Sequence, residues 1–447
     1  MEFREKVTLW SFFDEEKKSM NNTTTSPGRV SFTRSPEHDQ SQSVSGQTSP
    51  TSTPVRPMSP ETPWTLSPVR MSPSQPLLYH CLASLHRHKG SILSVAVSKN
   101  FIFTGTQSRR IYAWKQPKCT DAGRIIASSG EIRALLAHGR VLFTAHGDCR
   151  VRAWGVTAMD NFQPRKLATI PQRNSLLMLP RKSPNQHKDC ISCLAYNHDD
   201  KLLYTGSWDR TVKAWNLTDK RCEDSFVAHE GHITGIIINQ DDGRVFTCST
   251  DGSVKIWRRV FGESSHILTM TLKFQLSPVN ALALSSSPSS CILYSGSSDG
   301  LINFWEKEKT SGRFNHGGFL QGHHFAVLCL TAVADLVFSG SEDTRIRVWR
   351  REEGNNLHSC LAVMEGHQGP VRCLAATLER ESLGKGLLVY SASLDETFKV
   401  WRVNIYPTEK VSLQKQKSIV DDPKAAAVDF EMSPVLSPSW VVKKLQV

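Results

Sequence analysis

The sequence predicts an all-β protein built from seven repeats. Two spacings and one period predict it. A Trp closes a strand-like run six residues after a turn residue: Ser108 with Trp114, Asp148 with Trp154, Asp209 with Trp215, Asp251 with Trp257, Asp299 with Trp305, Asp343 with Trp349, and Asp395 with Trp401. Upstream, a His stands four residues before a β-branched residue: His88 and Ile92, His187 and Ile191, His229 and Ile233, His323 and Val327, His367 and Val371. Ile132 and Val279 keep the branched residue without the His. The copies recur at roughly 40–45 residues, a repeat-protein period.

The third copy shows the local logic. Gly206-Ser207 ends one strand, Asp209-Arg210 turns, and Thr211, Val212, Ala214 and Trp215 suit the next strand. A short Asp in a tight turn can accept the backbone N–H bonds that the turn leaves free.

With this signature the chain resembles the WD-repeat family from about Leu77 to Val403. The resemblance implies a seven-bladed β-propeller, each blade a four-stranded sheet. It also implies a structural role for the repeated polar residues. The His, the turn Asp, a strand Ser or Thr and the Trp would form one hydrogen-bond chain per blade. The members here are His88, His187, His229, His323 and His367 with Asp148, Asp209, Asp251, Asp299, Asp343 and Asp395. In the third copy Thr205 or Ser207 would join His187, Asp209 and Trp215. Chains in the second and fifth copies should be weaker, lacking the His, as should the first, where Ser108 replaces Asp.

Residues 1–76 form the front tail. Phe3, Val7 and Trp10 share one face of a short amphipathic start, with Phe12 and Phe13 beyond. Such a segment suits a partner's groove or its own propeller. Residues 21–76 hold 31 Ser, Thr or Pro and predict disorder. Ser26, Ser35, Ser49, Thr53, Ser59, Thr62, Ser67 and Ser72 each precede Pro, as do Ser433 and Ser437 near the other end, so proline-directed kinases are expected to read them. Phosphates would turn a neutral tail strongly acidic.

The repeats occupy 77–403. Leu78–Leu85 is the expected closing strand, pairing with the last blade and removing an open edge. Thr157–Gln186, with Arg165, Lys166, Arg173, Arg181 and Lys182, reads as a basic insertion on one face. Leu378–Gly386 is a second long loop. Residues 404–447 read as a disordered tail ending in a short docking-like peptide, 430–445.

No P-loop, GxSxG, HExxH or dinucleotide fingerprint occurs, so no catalytic residue and no cofactor is expected, and the protein reads as a non-enzyme. Cys190-x-x-Cys193 lacks a second ligand pair at zinc spacing, so no metal is expected. No apolar run suits a membrane helix and no secretory signal is evident, which predicts a cytoplasmic or nuclear protein. The net charge of +12 falls on the repeats, because 1–76 carry eight basic and eight acidic side chains. That favours an acidic partner.

In the WD-repeat family, top-face positions flank the strand-start branched residue and precede the turn Asp. Carried over, the first set is Glu131, Arg133, His232, Thr234, Pro278, Asn280, Pro370 and Arg372. The second is Gln107, Trp208, Thr250, Ser298, Glu342 and Leu394. Trp208, read as exposed among Arg, Glu and His, has hot-spot composition. Glu131, Arg133, His232, Arg372, Glu342 and Leu394 complete the candidate partner surface.

Four stretches, His86–Ile92, Leu203–Asp209, Val227–Glu230 and Gly340–Asp343, look like the plant JINGUBANG-like WD-repeat proteins. That resemblance implies a non-enzymatic plant regulator acting on transcription factors or other signalling partners, and the ring is expected to be monomeric. Two other classes compete. A ubiquitin-ligase substrate receptor would carry Trp-Asp-x-Arg, but the repeat Trp residues are followed by Lys115, Gly155, Asn216, Arg258, Glu306, Arg350 and Arg402. A nucleic-acid-binding propeller would rest on charge alone, without a recognition helix or RNP motif.

Overall fold

The computed structural model describes residues 78–86, 90–127, 130–156, 162–172, 185–260, 262–274, 276–287, 290–352, 357–379 and 386–404. They form a seven-bladed, all-β propeller with no helix among the described residues. Seven four-stranded antiparallel sheets follow one another. They are termed blades 1 to 7 and span 92–126, 132–170, 191–227, 233–272, 279–320, 327–364 and 371–404. Leu78–His86 supplies the fourth strand of blade 7, pairing Leu78 with Asn404 and His86 with Thr397. The front and rear tail expectations, the ten Ser/Thr-Pro sites and His88 lie outside the described residues.

The second strand of each blade is buried along its whole length, save Ser290 at the start of that of blade 5. Leu202–Ser207, Leu336–Ser341 and Gly386–Ser393 show no exposed residue. Such a strand cannot alternate polar and apolar residues, because a neighbouring blade covers each of its faces. The core is accordingly divided among the seven junctions between blades. Phe143, Leu203 and Trp215 pack between blades 2 and 3. Tyr112, Trp114, Tyr390 and Phe398 pack between blades 7 and 1, where Trp114 stacks on Phe398 at 6.0 Å.

Every blade has a β-bulge at the same place. The first pair of strands slips register just after the branched residue: Ile92/Ser94, Ile132/Ala134, Ile191/Cys193, Ile233/Gly235, Val279/Ala281, Val327/Cys329 and Val371/Cys373. A bulge re-aims the extra side chain. In blades 3, 4 and 5 that side chain reaches the next blade: Ser192 Oγ donates to Ile233 O, Thr234 Oγ1 to Val279 O at 2.6 Å, and Asn280 Nδ2 to Val327 O at 3.0 Å. Thr234 and Asn280, expected on the turn face, thus also bind one blade to the next.

The expected basic insertion is also corrected. Arg165–Ile170 is the outer strand of blade 2, pairing Gly155 with Arg165 and Val151 with Ile170. The reason is that a strand as short and polar at its start as Arg165-Lys166-Leu167-Ala168 gives little alternating signal. Of the expected insertion, 157–161 and 173–184 lie outside the described residues.

Candidate functional site

The repeated polar residues come together inside the blades. In blade 3, Trp215 Nε1–H donates to Thr205 Oγ1 at 3.0 Å, Thr205 bonds His187 Nε2 at 2.7 Å, and His187 Nδ1 meets Asp209 Oδ2 at 3.0 Å. A carboxylate only accepts, so Nδ1 carries the imidazole proton and Nε2 receives the hydroxyl's. Asp209 also accepts the backbone N–H of Lys188 at 2.8 Å and of Thr211 at 2.9 Å. Thr205, not Ser207, is the chain member; Ser207 Oγ donates to Asp189 O and accepts Asp209 N–H.

The same arrangement recurs with His229, Asp251, Thr247 and Trp257, with His323, Asp343, Ser339 and Trp349, and with His367, Asp395, Ser391 and Trp401. Burial alone would raise these carboxyls. At Asp251 the bonds from Ser253, and at Asp343 the bond from His323, lead the groups that overcome it and bring each to about 2. Asp395 also falls to about 2, through Thr397 and the Gln368 amide. Burial holds His187, His229 and His367 below the usual imidazole value. These are fixed chains turned inward, with all four imidazoles buried.

The described residues of the other three blades show other contacts. In blade 1, Trp114 donates to Thr104 at 3.1 Å and Ser108 bonds Thr106. In blade 5, Asp299 caps its own turn, accepting from Leu301 N and Ser297 Oγ, and Trp305 reaches Ser295 at 3.3 Å. In blade 2, where the upstream His is missing, His146 at the end of the strand itself lies 2.6 Å from Thr144 Oγ1, which accepts from Trp154 Nε1 at 2.9 Å. Asp148 holds Arg152 through two bonds, at 3.1 and 2.6 Å. A His inside a strand carries no upstream spacing, so the repeat pattern could not reveal it.

The turn face carries the second constellation. Trp208 stands just before the turn of blade 3 and is half-buried between its neighbours, not freely exposed. Arg133, the bulge residue of blade 2, places its guanidinium 4.5 Å above the Trp208 ring. Glu131 anchors that guanidinium at 2.6 Å. On the other side His232 of blade 4 meets the indole at 5.7 Å and donates from Nδ1 to Trp208 O at 2.7 Å. Four side chains from three blades thus form one amphipathic platform. Arg372, Glu342 and Leu394 are exposed on blades 6 and 7 of the same face.

Two large apolar residues on this face were not anticipated. Phe325 is 60% exposed and Leu276 85%. Phe325 precedes its branched residue by two positions, where Gly90, Gly231 and Gly369 stand in other copies; that contrast was the available signal. Cys190 and Cys193 do not form a thiolate pair. Burial pushes their thiols up to about 11 and about 12, which disfavours metal ligation.

Five stretches, 179–216, 220–258, 267–306, 315–350 and 358–402, match the family model described as WD domain, G-beta repeat. They cover blades 3 to 7. Among curated proteins, the chain is similar to transducin beta-like protein 3 of Mus musculus, 28% identical over 156 residues, which is 32% of this chain and 19% of that protein. It is 33% identical over 52 residues to small ribosomal subunit protein RACK1 of Drosophila melanogaster, 11% of this chain and 16% of that one. It is 42% identical over 52 residues to DDB1- and CUL4-associated factor 13 of Homo sapiens, 11% and 12% of the two chains. The chain thus spans about a fifth of the transducin beta-like proteins it matches.

Proposed function

We propose that this WD40 propeller is a non-enzymatic interaction scaffold that grips a protein partner on its turn face, with Trp208 at the centre. The observation that carries this reading is the seating of Trp208 between Arg133 and His232, with Glu131 fixing the guanidinium. A pre-positioned Trp and Arg lose little freedom on binding, and such residues dominate interface energies. The finer reading follows from the resemblance to JINGUBANG-like proteins: a plant signalling regulator acting on transcription factors, in the cytoplasm or nucleus. Its tails would be tuned by proline-directed kinases.

The test compares full-length chain with Trp208→Ala and Glu342→Ala in proximity labelling, followed by direct binding of each recovered protein. Trp208→Ala should weaken the direct partner by about 2 kcal/mol or more, and Glu342→Ala far less. Equal binding by all three chains would overturn the placement. A second reading, a ligase substrate receptor, is favoured by the short match to DDB1- and CUL4-associated factor 13. It predicts that a ligase adaptor co-purifies in stoichiometric amount. No Trp-Asp-x-Arg motif supports it.

A further inference from the structure

The face opposite the turns holds a cleft of about 910 Å³. Its walls include Val97, Ala137, Val333, Ala376, Leu378 and Leu388, from blades 1, 2, 6 and 7. The register puts these residues at the far end from the turn Asp residues: Val97 pairs with Ile102, and Leu378 with Leu387. Leu378 is 60% exposed, an apolar side chain left facing water at the cleft.

The chain enters the propeller at this same end. Leu78 pairs with Asn404, and Asn404 with Gly386, so Leu78 stands at the cleft end of blade 7. The entering strand is the outermost of blade 7, and the cleft wall belongs to the innermost. Three strand spacings separate them, about 15 Å. The front of the chain carries a compact apolar group, Phe3, Val7, Trp10, Phe12 and Phe13. The residues between, 14–77, can reach at most about 3.3–3.6 Å each, far more than this distance in total. The tether thus exceeds the distance to be covered, and it starts on the correct face.

We infer that the segment 3–13 of this chain docks in the cleft between blades 7, 1 and 2, with Trp10 and Phe3 against Leu378 and Val97. The contact is intramolecular. Its effective concentration is set by the tether and needs no partner. It also leaves the turn face open, so this inference stands apart from the Trp208 reading. A consequence is that any ligand of the opposite face must first displace the chain's own front.

The test uses the full-length protein with Trp10 replaced by the photo-crosslinker p-benzoylphenylalanine. Cross-links are expected within one chain to residues 97–100, 137–139 and 376–379, with a yield that does not change on dilution. Cross-links to the turn face, a yield that falls on dilution (a second copy), or no cross-link would each overturn the inference. Leu378→Ser in the same chain should abolish the cross-link without lowering the melting temperature, since that side chain is exposed. A Trp208→Ala chain should cross-link normally, which separates failure here from failure of the proposed function. As an independent readout, Phe3→Ser with Trp10→Ser should speed amide exchange at 376–379 by about fivefold or more; unchanged exchange would refute the docking.

Discussion

Blades 2 and 3 are neighbours with the same strand order and the same bulge, yet they secure the turn face in two ways. In blade 3 the chain from Trp215 to Asp209 runs through His187, which lies on the connection entering the blade. The carboxylate also takes the Lys188 amide from that connection. The hydrogen bonds therefore staple an incoming loop to the sheet. In blade 2 the imidazole belongs to the strand, and Asp148 serves Arg152. In the described part of the incoming connection, the backbones at Gly130 and Gly147 approach closely. A Cβ on Gly130 would stand 2.5 Å from Gly147 Cα, and Gly130 has φ +62. Polar stapling and glycine contact are alternative solutions to one problem, which is how to seat a loop on a turn that must stay tight.

Acid should separate the two solutions most strongly. Asp209, Asp251, Asp343 and Asp395 all have carboxyls lowered in the folded state, the last three to about 2. Their stabilisation is complete above the ordinary carboxyl value near 4 and is lost as pH falls through about 2. His187, His229 and His367 are lowered from 6.5, so their share is complete above 6.5 and begins to disappear below it. The expected result is a melting temperature that declines from about pH 6.5 downward and collapses below pH 4. Faster exchange of the Lys188 and Thr211 amides should precede the collapse. A melting temperature that stays flat from neutrality to pH 4.5 would break the stapling account.

At a single residue, Asp209→Ala should cost about 3 kcal/mol, because the His187 imidazole and the Lys188 and Thr211 amides all lose their acceptor. Thermal or denaturant unfolding measures it. The smallest effect belongs to the other solution. Asp148→Ala should cost about 1 kcal/mol, since the Thr144–His146–Trp154 contacts do not pass through it. If the two substitutions destabilise equally, the blades are not built on different principles.

The comparison also shows what a single sequence can reveal. The turn Asp and the Trp stand six residues apart in copy after copy because one blade geometry recurs, and that repetition made the propeller legible. The closing strand was legible for a related reason: Leu78–Leu85 is strand-like and has no other partner in the count. The Thr205 or Ser207 choice was not legible. Both are buried, and only the path of the backbone shows that Ser207 faces the Asp189 carbonyl. Nor was the setting of Trp208. Its type was visible, but its partners come from blades 2 and 4, Arg133 some 75 positions earlier and His232 24 later. The bulge that re-aims Arg133 also appears only in pairing, since no residue type marks it.

The closing strand has a consequence for how this chain must be made. Ser84 receives a hydrogen bond from Lys399, 315 positions away. At about 5–20 residues per second a ribosome needs roughly 15–60 s to deliver the partner strand. Throughout that interval the first strand has no sheet, and blade 1 lacks the neighbour that covers Trp114 through Phe398. The nascent chain thus carries one unclosed apolar face until its last blade emerges. Chaperone contact during synthesis should concentrate on residues 78–126, and a stop before residue 397 should leave a sticky product, not a smaller propeller.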